Sequence, residues 1–274
     1  MFFRSSMWEM PVRIFRKSAI SALVIVTAIA TPVAFASDPD LVLHYRFDQD
    51  NGNKVVDHSS HQNDGANKFG QFLQEVRGRQ GVMRFDGEKA IVKATGDSLK
   101  LKGDFTYGLW MRLNAIEKQG DCVIFGTPQH FFSLGGYTNL VFVSYKRDPS
   151  GANLGLFWPI DRDMVGTDWS HITIVSEYPR MRFYRNGVLI KDGWTPYSME
   201  SPMEEAKTIS LGSNGRAHGF VDLDEVAIFN RALSANEVKL LASGAEAANL
   251  PRISQAEILM EPFWYEDKLT MRLS

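Results

Sequence analysis

The chain has 274 residues, with 30 Lys and Arg against 32 Asp and Glu, a formal charge of -2, 44% hydrophobic residues and 12% aromatic. This balance excludes an intrinsically disordered chain, a collagen-like repeat and a polybasic nucleic-acid binder. One Cys among 22 Gly excludes a disulfide framework. The fold must then rest on one packed core, and a unit of about 200–240 residues supports one by burying roughly 70–75% of its unfolded surface.

Residues 1–17 carry Arg4, Arg13, Arg16 and Lys17 against Glu9 alone, and an apolar run from Ser18 to Ala30 follows. The run ends in Thr31-Pro-Val-Ala-Phe-Ala36. A basic segment, a short apolar segment and an A-x-A site describe a secretory signal peptide, cleaved after Ala36. The apolar run is short for a bilayer span of about 20 residues, so residues 1–36 are expected to be removed. A secreted, periplasmic or cell-surface protein without a membrane span is the expected product. In that setting the single Cys122, inside the apolar run Asp121–Phe125, reads as a small buried hydrophobe.

From Leu41 onward the chain reads as short strands. Leu41–Phe47, Gly81–Phe85, Ala90–Lys93, Phe105–Leu113, Asp121–Phe125, Leu140–Tyr145 and His171–Val175 mix β-branched and aromatic residues, most with partial period-two alternation. Asn51-Gly52, Asp64-Gly65, Asp86-Gly87, Asn186-Gly187, Asp192-Gly193 and Asn214-Gly215 supply turn signals between them. The clearest hairpin is Met181–Arg185, Asn186-Gly187, Val188–Lys191. One helix is predicted: Ser234-Ala-Asn-Glu237 is a capping box, Val238, Leu240 and Leu241 follow, and Gly244 stops the run. Many strands and one short late helix predict an all-β antiparallel sandwich.

The order of the phrases carries a resemblance. Tyr45-Arg-Phe-Asp48, Val56-Asp-His-Ser-Ser60 leading to Asn63-Asp-Gly65, and Gly81-Val-Met-Arg-Phe-Asp-Gly87 come first. Asp104–Trp110, Trp169-Ser-His-Ile172 with Phe183–Gly187, and Gly219–Ser234 follow. Together the stretch from about Leu41 to Ala242 resembles the laminin-G-like, concanavalin A-like jelly-roll domains of bacterial secreted proteins. The tract usually written Asp-x-Ser-Gly reads Asp57-His-Ser-Ser60 here. The resemblance implies two packed antiparallel sheets with the first and last long strands side by side. Trp110, Trp169 and Phe229 are expected to fill the layer between the sheets.

The resemblance also implies one structural calcium ion where those strands meet, with Asp48, Asp86 and Asp224 as its carboxylates and Asp222 as a substitute. Six to eight oxygen ligands from several segments suit such an ion, although Asp86 in Phe-Asp-Gly serves a turn equally well. His58-Ser-Ser-His61, with Asp57 and Asp64, is the one transition-metal candidate, and it reads better as a polar loop.

The same jelly roll underlies glycoside hydrolases and polysaccharide lyases, but the Glu-x-Asp-x-x-Glu phrase of the laminarinase-like family is absent, as are Gly-x-Ser-x-Gly, His-Glu-x-x-His and a phosphate loop. No catalytic residue is assigned. Binding is the expected role, to a glycan or polysaccharide, with another extracellular protein as the alternative partner. Leu156–Asp163 and Lys191–Tyr197 offer Trp158, Asp161, Arg162, Trp194 and Tyr197, rings for sugar faces and polar groups for hydroxyls. The laminin-G-like domain is placed at residues 37–243. Past Gly244, Ala245–Pro251 reads as a linker, and the apolar residues up to Ser274 predict an extension packed on the sandwich as a strand or clasp.

Overall fold

The computed structural model describes residues 38–101, 104–114, 122–126, 130–135, 139–144, 154–159, 168–177, 180–194, 207–213, 218–252, 261–265 and 268–272. The chain divides into two compact units, Met1–Ala34 and Phe35–Ser274, and every described residue belongs to the second. The expected leader, residues 1–36, lies outside the described residues, within which no helix is long and apolar enough to cross a membrane.

Two eight-stranded antiparallel sheets build the sandwich. The first runs β14 (Val188–Trp194), β13 (Arg180–Arg185), β12 (Ser170–Glu177), β7 (Phe105–Leu113), β16 (Phe220–Phe229), β5 (Arg79–Asp86) and β4 (Gln71–Val76), with β1 (Leu41–Tyr45) also paired to β16. The second runs β11 (Leu154–Pro159), β10 (Asn139–Ser144), β9 (His130–Gly135), β8 (Cys122–Gly126), β15 (Thr208–Leu211), β6 (Ile91–Thr95), β3 (Gly65–Lys68) and β2 (Lys54–Val55). The first long strand, β1, does lie beside the last, with Tyr45 opposite Val226.

Alternation sets the core. On β7, Phe105, Tyr107, Leu109, Met111 and Leu113 join the central cluster with Phe85, Ile172, Phe183 and Leu223, and Val92 and Leu211 meet them from the second sheet. The Gly212 backbone lies so close to the Phe85 ring that a Cβ there, where φ is +76°, would stand 2.0 Å from it. At the hairpin between β13 and β14, Asn186 (φ 50°) and Gly187 (φ 76°) both take the left-handed conformation that a tight two-residue turn requires.

Helix α1 (Ala235–Ala242) begins with the expected capping box: Ser234 accepts the Glu237 N–H, and the Glu237 carboxylate accepts the Ser234 N–H at 2.7 Å. It covers part of the first sheet's outer face, where Leu41, Val175, Tyr184 and Phe229 pack against Leu233, Val238 and Leu241. Ala247 and Leu250 complete this second cluster, so Ala245–Pro251 is not a linker but a strap folded back on the sheet. Arg252 ties the strap down by pairing with Asp38 at 3.0 Å and also with Asp40.

Other expectations need correction. Gly65 opens β3 and Gly193 lies inside β14, so neither Asp-Gly pair makes a turn. The first part of the expected sugar-binding stretch Leu156–Asp163 lies in strand β11, whose Trp158 pairs with Leu140. The C-terminal extension, expected as a strand or clasp, forms a hairpin of β17 (Glu261–Tyr265) and β18 (Lys268–Arg272) that, among the described residues, adds no strand to the two large sheets; its side chains lie outside the described residues. Phe229 is buried, but under the helix rather than between the sheets, and Trp110 and Trp169 are half-buried on the outer side.

Candidate functional site

A bulge in β16 organises the outer face. Asp224 lies opposite Trp110 and Ala227 opposite Gly108, so Glu225 and Val226 share one partner position on β7. Glu225 takes up the extra length at φ 49°, a left-handed conformation rare for a non-glycine residue in a strand. The insertion returns Val226 and Ile228 to the core while Asp222 and Asp224, ahead of it, stay on the outer side.

Beside the bulge lies a groove of about 220 Å³ between the sheet and the strap. Gly108, Trp110, His171 and Ala227 come from the sheet, Leu241 and residues 244–247 from the helix end and strap, and Arg46, Arg79 and Glu225 stand at its edge. Arg79 reaches Asp224 Oδ2 through Nε at 2.7 Å and Nη2 at 2.6 Å, and its guanidinium carbon sits 4.3 Å from the centroid of the Trp110 ring and 5.5 Å from that of Trp169. The Trp169 indole donates to the Val76 carbonyl at 2.8 Å, which fixes its ring. His171 packs edge-on to Trp110 with centroids 5.2 Å apart.

Burial and charge tune these groups. Burial pushes the Asp224 carboxyl up to about 7 against the opposing pull of Arg79. Burial, assisted by Arg79, drives His171 down to about 3, so it is a neutral imidazole at physiological pH. Burial acts to raise Glu225 as well, but the His44 hydrogen bond and the charges of His44, Arg46 and Arg79 prevail and hold it below the ordinary range. His44, fully buried, meets Glu225 Oε2 at 2.6 Å through Nε2. A carboxylate at that distance only accepts, so Nε2 carries the proton, and Nδ1 on the other side of the ring is buried without a partner. Arg46 closes the groove's end by donating to Glu246 Oε1 at 2.6 Å.

The residues expected to hold calcium do not come together as a ligand set. Asp86 Oδ1 accepts the N–H groups of Glu88, Lys89 and Ala90, each at 2.9 Å, and so serves its own turn. Asp48 is exposed and paired with Arg46 at 2.9 Å, while Asp224 is committed to Arg79. The substitute, Asp222, is fully buried between Arg84 at 2.7 Å and Arg112 at 2.9 Å. Carboxylates already closed by guanidinium groups do not fit a cation, and among the described residues no group of three His, Cys, Asp or Glu is placed to hold one. Asp57 likewise accepts from the backbone of His44, Ser59 and Asn63, which makes the His58–His61 tract a structured polar loop.

The expected sugar site falls elsewhere. Trp158 belongs to β11 at the edge of one sheet, and Trp194 ends β14 at the edge of the other. Their side chains, with Asp161, Arg162 and Tyr197, lie outside the described residues. The groove was missed because its members come from β5, β7, β12, β16, the residue that follows β1, helix α1 and the strap. One signal was available: Trp110 occupies the polar side of the β7 alternation.

Fold and groove define a two-sheet jelly-roll sandwich with an open patch on its outer face. The chain belongs to the laminin-G-like family of the concanavalin A-like lectin/glucanases superfamily, whose model matches residues 86–239. A search of curated proteins finds no match. Among solved structures it is similar to the binding domain of botulinum neurotoxin DC in complex with rat synaptotagmin II, at 15% identity and a TM-score of 0.58, covering 75% of this chain and 52% of that one. It is similar also to the binding domain of Paraclostridial Mosquitocidal Protein 1, at 20% identity and a TM-score of 0.58, covering 74% and 52%. The botulinum neurotoxin type G receptor binding domain matches at 17% identity and a TM-score of 0.56, covering 74% and 51%. The chain thus spans about half the length of these structures, and at such identities the likeness establishes the fold.

Proposed function

We propose that this chain is a non-catalytic binding module of the exported compartment, and that it holds a carbohydrate in the outer-face groove. The groove itself carries the reading: about 220 Å³ lined by the Trp110 ring, the carboxylates of Glu225 and Glu246 and two guanidinium groups, the mixture that satisfies sugar hydroxyls and ring faces together. At the bulge, the groove-lining Glu225 is engaged by His44, and Asp224, buried behind the groove, is engaged by Arg79. That arrangement suits accepting hydroxyl groups more than the paired acid and nucleophile of glycoside cleavage. The fold neighbours support a binding role: one is described through the dependence of botulinum neurotoxin type C entry on two ganglioside molecules, another as a complex with SialylT.

A glycan-binding screen of the protein tests the reading, with Trp110→Ala, Trp158→Ala and Trp194→Ala measured in parallel. Loss of binding in Trp110→Ala alone supports the groove; loss in the other two moves the site to the strand edges. Absence of glycan binding overturns the carbohydrate reading. One observation favours a protein partner in that event: Val188, Leu189 and Ile190 on β14 are 64%, 45% and 48% exposed in succession. Pull-down with and without Leu189→Lys then tests that strand as the docking edge.

A further inference from the structure

We infer that the groove selects neutral, hydroxyl-rich sugar units and discriminates against carboxylated ones such as uronic and sialic acids. The inference rests on the groove being the glycan site. Its basis is charge: the guanidinium groups of Arg46 and Arg79 meet the carboxylates of Glu225, Glu246 and Asp224, and His171 is neutral. Even with Asp224 protonated, two positive groups face two negative ones, so the groove has no surplus positive charge to offer an anion.

Neither arginine is available to a ligand carboxylate without loss. Arg79 places two nitrogens on Asp224, a side chain only 4% exposed, and removing that partner leaves a buried carboxylate uncompensated. Arg46 is held between Glu246 at 2.6 Å and Asp48 at 2.9 Å. Glu225 repels an incoming anion directly, since its side chain is 30% exposed at the groove edge. A neutral hydroxyl meets the opposite situation. Glu225 Oε2 is taken by His44, but Oε1 lies 3.9 Å from Arg46, beyond hydrogen-bond distance, and retains acceptor capacity for a sugar O–H. A hydroxyl can donate there and accept from an arginine N–H without breaking either ion pair.

Matched ligands test this by calorimetric titration of the full chain: lactose against sialyllactose, and glucose, mannose and galactose oligomers against oligomers of their uronic acids. The neutral member of each bound pair is expected to bind at least about tenfold more tightly. Glu225→Gln, which keeps the side-chain shape, narrows that gap. Glu246→Gln, at an exposed position on the strap, releases Arg46 and improves the acidic member several-fold while leaving thermal stability unchanged. Tighter binding of the acidic members overturns the inference and leaves the glycan reading intact. A neutral preference unaffected by both substitutions also overturns it, because the ligand then sits elsewhere. Failure of every pair to bind removes the glycan reading, and the inference with it.

Discussion

The outer face of the first sheet has two halves built from the same strands. Toward one end of β16 and β7, Phe229, Ala227 and Thr106 lie beneath helix α1, with Leu41, Val175 and Tyr184 beside them. Toward the other end, Asp222, Asp224, Trp110 and Arg112 lie on the outer side with Arg79 and Arg84, and among the described residues no helix covers them. The bulge at Glu225 is the border. The covered half is held mainly by apolar area, with Arg231 paired to Asp38 and Glu237 at its margin; the open half is held by ion pairs on the buried Asp222 and Asp224, with Trp110 and Arg79 in partial contact with solvent. A sheet face with no packed layer over it need not be functional, but this one places strain, a neutral buried histidine and a groove at one point.

The largest expected difference between the halves is in stability. Phe229→Ala removes a fully buried ring from the covered half, and a loss of about 3–5 kcal/mol is expected from the denaturant midpoint. Trp110→Ala removes a larger ring from the open half yet is expected to cost only about 2 kcal/mol, because solvent already reaches that ring. Equal costs would break the comparison.

The second difference is in pH response. Asp224 sits at about 7 in the folded protein, against about 3.9 for an unfolded aspartate. Between those values the folded state retains a proton that the unfolded state has released. The resulting stabilisation is present at the acidic end and lost as pH rises through 7, at most about 4 kcal/mol in all. Asp38 and Glu225 are held low and act in the opposite sense, losing their contribution as pH falls. The clean measurement is therefore the difference between wild type and Asp224→Asn: the variant should gain relative stability steadily from about pH 4 to about pH 8. A flat difference shows that the Arg79 pair keeps Asp224 ionised throughout. The cost of Phe229→Ala should be the same at both ends of that range.

How far the chain could be read without its structure depends on how local each feature is. The capping box at Ser234, the Asn186-Gly187 hairpin and the alternation of β7 are fixed within a few residues, and all three appear as expected. Phe229 was misplaced for a definite reason. Counting alternate residues from Val221 puts Phe229 on the core side, but the single left-handed residue at Glu225 shifts the count by one, and no local residue type announces it. Trp110 was misplaced by reading ring size instead of period. The arginine partner of the calcium candidate Asp224 could not be read from the sequence, because Arg79 and Asp224 meet only through the pairing of β5, β16 and β7. The groove shares that property, and the strap that walls it was disguised as a linker by its Ala-rich composition.

A smaller effect links the halves. Ser234→Ala removes the helix cap and is expected to cost about 1 kcal/mol. Because Leu241 and the strap after it line the groove, the same variant should also weaken ligand binding modestly. A stability loss with no change in binding shows that the covered half does not support the open one.

The smallest stability change gives the sharpest separation of folding from binding. Gly108 lies on the sheet side of the groove in ordinary strand conformation, where a Cβ would stand 3.5 Å from Leu241 Cδ1 and 3.9 Å from the His171 ring. These are normal contacts, so Gly108→Ala fits without displacing a neighbour. Replacing a strand glycine restricts the unfolded chain and is expected to leave the midpoint unchanged or raise stability by about 0.5–1 kcal/mol. The new methyl nevertheless occupies the space a ligand must use, and affinity should fall at least about tenfold. A protein that folds better and binds worse places the ligand against Gly108. If Gly108→Ala folds better and binds as before, the ligand does not enter the groove, and the strain at Glu225 serves only to turn Val226 and Ile228 back into the core.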